Sequence, residues 1–130
     1  MQSLGTLISK GAADINHVYH DKECFTALML ASVKGHHLAV KALVEANADV
    51  NYDVPFSSLY PDNEGYTALM YAAQFGFVEV IKVLVSAGAS VNHVGKSGHT
   101  ALILASMNGH HLAVKALIEA NAALIVAATL

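Results

Sequence analysis

The feature that most constrains this chain is that it nearly writes one stretch twice. Residues Thr26 to Ala48, TALMLASVKGHHLAVKALVEANA, and Thr100 to Ala122, TALILASMNGHHLAVKALIEANA, differ at only four of 23 positions. A looser copy, TALMYAAQFGFVEVIKVLVSAGA, lies between them at Thr67 to Ala89. Self-similarity of this kind means stacked units, none of which buries its apolar face alone. The three Thr-Ala-Leu triplets are spaced 41 and then 33 residues apart.

Each copy predicts two short helices. Apolar residues recur at three- and four-residue spacing, as in Val80, Val83 and Leu84. Each triplet's Thr is placed to cap a first helix. A glycine nine residues after each Thr (Gly35, Gly76, Gly109) permits a left-handed turn. The second helix is expected to end at Asn47, Gly88 and Asn121, the residue types that tolerate that conformation best. Asp49-Val50-Asn51 and Ser90-Val91-Asn92 follow as turns around one buried valine. Asp14-Ile15-Asn16 repeats the signature after LISKGAA, which reads as the second helix of an incomplete first unit.

A unit of helix, tight turn, helix and extended turn, with Gly-x-Thr-Ala-Leu at 65–69 and 98–102, resembles the ankyrin repeat. So do Gly76-Phe77-Val78-Glu79-Val80 and Gly88-Ala89-Ser90-Val91-Asn92. The resemblance covers nearly the whole chain. It implies an all-α solenoid of stacked helix-turn-helix units joined by hairpin-like turns, with helix pairs as a palm and turns as fingers. On that reading, 1–130 is one domain. It divides into a partial N-terminal repeat at 1–13, repeats at 14–48, 49–89 (with an eight-residue insertion) and 90–122, and a C-terminal remnant at 123–130.

Departures from the family pattern carry expectations of their own. The family's Thr-Pro-Leu-His is Thr-Ala-Leu-Met or Thr-Ala-Leu-Ile here, so the histidine that usually ties neighbouring repeats is missing. Cys24 stands where the turn glycine is usual. In the outer copies the bulky pair of the second helix is thinned to Ala39 and Ala42, and to Ala113 and Ala116. Exchanging a buried Val or Leu for Ala forfeits roughly 1.5–3 kcal/mol, so the outer repeats are expected to be the weaker ones.

Composition narrows the partners. The net charge is −3, and all seven basic residues other than histidine are lysines. Nucleic acid and phosphate recognition lean on arginine forks and basic patches, which argues against both. A lone cysteine fits a reducing compartment, the N-terminus has no signal-peptide pattern, and the apolar LIVAATL is too short to span a bilayer. The expectation is an intracellular, cytoplasmic protein that is monomeric or a segment of a longer array.

Eight histidines invite a metal hypothesis, but the pairs His36-His37 and His110-His111 fall two repeats apart. With helix layers about 8–10 Å apart, the pairs are separated by roughly 16–20 Å, far beyond the ~2 Å reach of one ion's ligands. His36 and His110 read instead as backbone-bonding residues of the Gly-His turn. His17, His20, His93 and His99 read as solvated finger residues. No phosphate loop, carboxylate pair or Ser-His-Asp order stands out. No metal, no cofactor and no catalytic residue is expected, and the chain is not read as an enzyme.

The resemblance implies where contacts lie. The family's contact positions map here to Phe25, Tyr66 and His99 before the threonines, and to Leu30, Tyr71 and Leu104 on the first helices. The two places before the turn glycine add Val33, Gln74 and Met107, then Lys34, Phe75 and Asn108. The insertion lengthens the finger at 52–61, which brings Tyr52, Phe56 and Tyr60 beside the middle repeat's Tyr66, Tyr71 and Phe75. Aromatic clusters of this type favour protein interfaces. The partner-binding set is therefore Phe25, Lys34, Tyr52, Phe56, Tyr60, Tyr66, Tyr71, Gln74, Phe75, His99, Met107 and Asn108. The expected function is recognition of a protein partner through the concave face and the long finger. The alternative is a targeting or scaffolding segment of a larger enzyme or effector whose catalytic domain lies outside this chain.

Overall fold

A helix of two turns is not stable alone in water, so the chain's short helices exist only as parts of pairs and stacks. The computed structural model describes residues 15–18, 25–55 and 61–129, with only the backbone described for Pro61 and for 122–129. Among the described residues are six α-helices. Three first helices, α1 (Ala27–Val33), α3 (Ala68–Phe75) and α5 (Ala101–Met107), alternate with three second helices, α2 (His37–Glu45), α4 (Val78–Ser86) and α6 (His111–Thr129). A short 3-10 turn, Pro61–Asn63, precedes the middle pair.

The same local chemistry starts each first helix. The hydroxyls of Thr26, Thr67 and Thr100 accept from the backbone N–H of Met29, Met70 and Ile103 at 3.3, 3.3 and 3.2 Å. Each cap satisfies one of the amides that a helix start leaves without an internal partner. At the other end the chain reverses through Gly35, Gly76 and Gly109, at φ 74°, 75° and 73°.

The helices form two rows. First helices touch first helices (α1 on α3 on α5), and second helices do the same (α2 on α4 on α6). Between the rows lie the buried Leu28, Met29, Val40, Leu69, Met70, Ile81, Leu84 and Leu117. Ser32, Ala72, Ala73 and Ala105, all buried, let the first-helix backbones approach closely. The hydroxyl of Ser32 is bonded back to the Leu28 carbonyl at 2.7 Å, so a polar atom is not left stranded there.

Asparagines stitch one finger to the next. The Asn16 side-chain carbonyl accepts from the Asp49 N–H, and that of Asn51 accepts from the Ser90 N–H, each at 2.8 Å. Asn92 breaks the series by donating to the side chain of Asn121 at 2.9 Å. The cause is a helix that does not stop. Asn47 and Gly88 turn the chain at φ 70° and 94°, but their counterpart Asn121 sits inside α6, which runs on to Thr129. The expected end at Asn121 is thus corrected. Residues 122–129, AALIVAAT, contain no glycine, proline or Asp-Val-Asn signature and are rich in helix-forming Ala and Leu. Among the described residues no helix is long and apolar enough to cross a membrane.

The turn glycine of the middle repeat is sterically required. A Cβ at Gly76 would lie 2.6 Å from the His110 ring, on a backbone already at φ 75°. Gly76→Ala is therefore expected to destabilise the chain by about 2–4 kcal/mol, combining left-handed strain with overpacking. Urea denaturation of the variant measures this.

Candidate functional site

Phe25, Tyr66 and His99 stand immediately ahead of the three capping threonines. In the middle of the molecule these side chains form a continuous row. The Phe25 and Tyr71 rings are 4.9 Å apart at 53°, and the Tyr71 and Tyr66 rings are 5.4 Å apart at 58°. The Tyr66 hydroxyl shares a 3.2 Å hydrogen bond with Nδ1 of His99. The row therefore links all three repeats.

It is an interior row. Phe25, Tyr66 and Tyr71 are 6%, 4% and 3% exposed, too little for any of them to be the main contact area of a partner. Leu104, at the third repeat's equivalent of Tyr71, is buried as well. The resemblance implies an outer position here. In the fold Tyr71 faces Tyr66 of its own repeat and Phe25 of the preceding one. His99 is half-buried and held by Tyr66 and by Ser97 (3.2 Å), so it is a tie rather than a free contact.

The long finger is anchored at its base. Val54 N–H donates to the Tyr66 carbonyl at 2.8 Å, and Gly65 N–H donates to the Val54 carbonyl at 2.7 Å. Asp53 forms an isolated antiparallel bridge with Thr67, and the Val54 side chain is buried. Tyr52 is half-buried and packs on the core. Phe56 and Tyr60 lie outside the described residues, as does the partial repeat at 1–13.

Two further histidines tie the second repeat to the third. A carbonyl only accepts, so Nε2 of His93 donates to Gly65 at 2.8 Å, and Nε2 of His110 donates to Gln74 at 3.0 Å. His93 also lies 3.7 Å from the Asp53 carboxylate. The sequence reads both His93 and His99 as solvated finger residues. A spacing signal exists for His99 alone, which follows its partner Tyr66 by one 33-residue period. Among the described residues no three His, Cys, Asp or Glu side chains gather as metal ligands would.

On the surface of the first-helix row several of the expected contact side chains remain open. Phe75 is 45% and Met107 65% exposed, Lys34 and Asn108 are exposed, and Gln74 is half-buried. A groove of about 300 Å³ runs beside them, lined by Phe25, Leu30, Val33, Tyr71, Gln74 and Phe75, with Asn63 at its finger end. No charged side chain lines it. Its chemistry is shape and apolar contact, with the Gln74 and Asn63 amides for orientation. The groove on the opposite row differs, being bounded by Lys41, Glu45 and Lys82.

Two rows of helices, the first row capped by threonines, and fingers tied one to the next define a solenoid of helical repeats. A family model described as ankyrin repeats in three copies matches residues 57–128, and one described as ankyrin repeats in many copies matches 28–85. The chain belongs to the ankyrin repeat family. Comparison with curated proteins gives no match. Ankyrin repeats are in general modules of protein–protein interaction.

Burial of the ring row changes what its mutation reports. Tyr71→Ala is expected to cost about 3–5 kcal/mol of stability, the usual cost of removing a buried aromatic. Phe75→Ala, at a half-open position, is expected to stay near 1 kcal/mol. Comparing their urea midpoints checks the assignment, and equal midpoints would contradict it.

Proposed function

We propose that this chain is a non-catalytic recognition module that grips a protein partner across the first-helix row. The observation that supports this best is the uncharged groove between α1 and α3, bordered by the exposed Phe75 with Met107 beyond it. Large aromatic and thioether side chains left open beside an apolar groove are what a partner's side chain would desolvate. The contact residues in this reading are Phe75, Met107, Gln74, Lys34 and Asn108. Phe25, Tyr66 and Tyr71 form the rigid floor that holds them. A preorganised floor matters because ordering loose side chains on binding costs affinity.

Two double variants test the assignment. Phe75→Glu with Met107→Glu places charge on the proposed face, while Lys82→Glu with Ser86→Glu alters the opposite row. A partner captured from the source cell's lysate by the unaltered chain should be kept by the second variant. The first variant should bind it at least about tenfold more weakly, or 1.4 kcal/mol, by calorimetry with the purified partner. A partner lost only by the opposite-row variant would overturn the reading.

A further inference from the structure

The chain has four methionines, and they are not placed alike. Met29 of α1 and Met70 of α3 are each 1% exposed and belong to the core. Met107, the last residue of α5, is 65% exposed. Met1 lies outside the described residues. Met107 also marks one of the four positions at which the first and third copies differ, with Val33 in the first copy and Gln74 in the middle one. The position is open through its place on the helix. Val33 and Gln74 stay half-buried although α3 packs beside α1 and α5 beside α3.

Exposure decides the chemistry of a thioether. It has no proton to lose, so what limits its oxidation is whether an oxidant can reach the sulfur. The core methionines are sealed from water, whereas the Met107 side chain is open. The product suits the fold, because a sulfoxide is polar and the middle repeat already carries the polar Gln74 at this position. It does not suit an apolar contact. Oxidation exchanges a soft, adaptable thioether for a polar, chiral group, and burying its oxygen without a hydrogen-bond donor is unfavourable.

We propose that Met107 is a reversible oxidation site whose oxidant is a hydroperoxide, and that its sulfoxide loosens the grip on the protein partner. In the step, a lone pair of the sulfur attacks one oxygen of hydrogen peroxide. The S–O bond forms as the O–O bond breaks. The departing hydroxide takes the proton from the transferred oxygen and leaves as water. Sulfur is oxidised by two electrons and the peroxide is reduced by two. Methionine sulfoxide reductases, with a thiol as electron donor, return the thioether. The effect on binding rests on the recognition face proposed above, whereas the reactivity of Met107 does not.

Trypsin separates the methionines, because cleavage after Lys41, Lys82, Lys96 and Lys115 leaves Met70 in 42–82 and Met107 in 97–115. Met29 shares its peptide with Cys24, so Met70 is the comparator. The full chain is treated with hydrogen peroxide in native buffer, and mass spectrometry follows oxygen uptake. Peptide 97–115 is expected to gain one oxygen at least about tenfold faster than 42–82, with the two rates converging in urea. Equal rates in native buffer overturn the site. The urea midpoint of the chain oxidised at Met107 should stay within about 10% of the untreated value, and a larger fall overturns the proposal by making Met107 a structural residue. Affinity for the purified partner is then measured before and after treatment. The treated chain should bind at least about tenfold more weakly, and the reductases should restore it. Met107→Leu, which keeps Cys24, should show the same affinity before and after peroxide. A loss that persists in Met107→Leu, or selective oxidation with unchanged affinity, overturns the effect on binding. The recognition face fails separately, if Phe75→Glu with Met107→Glu keeps the partner.

Discussion

The contact of the Tyr71 ring with Phe25 on one side and Tyr66 on the other joins segments that would not stay folded apart. Helices of seven to nine residues gain too few internal hydrogen bonds to offset the order they require, so burial between repeats must supply the difference. Among the described helix pairs, the middle one is packed between two others. Its α3 is buried from Ala68 through Ala73, an unbroken run, while burial in α1 is interrupted by half-buried residues and in α5 by exposed ones. The stack therefore hangs on the middle repeat, and the outer repeats are fastened to it by rings, histidines and asparagine side chains.

That dependence also explains why the outward face is built as it is. Side chains that close the stack point between the rows or along them, so they are withdrawn from any partner. On the first-helix row, the large side chains free to meet a partner lie at the C-terminal ends of the helices, at Phe75 and Met107. Recognition is thus set on a floor whose shape is fixed by stacking. A change in the floor alters stability first and binding second.

Much of this was legible in the sequence. The threonine caps, the turn glycines and the period itself follow from local chemistry that needs no neighbour, and each is found as expected. Residue roles that depend on a neighbour one period away were harder to read. Tyr66 and Tyr71 look like contact aromatics in one repeat taken alone, and become interior only when Phe25 and His99 close on them. The finger at 52–61 reads as a contact element beside Tyr66, and in the fold its Val54 pairs with Tyr66 and is buried. Alanine content was an incomplete guide to weak ends. Ala113 is fully buried against the middle unit and Ala39 is exposed, so what decides is whether a face is covered as well as how large its side chain is.

The central claim is that cohesion is centred on the middle repeat and falls toward both ends, and native-state hydrogen exchange tests it most directly. Stability in a repeat stack is a sum of unit and interface terms, so a unit with two interfaces should open last. The account predicts the slowest amides in α3 and α4, with α1 and α5 exchanging faster through partial openings that leave the middle pair folded. Uniform protection across all three repeats, or slowest exchange in α5 and α6, would contradict it.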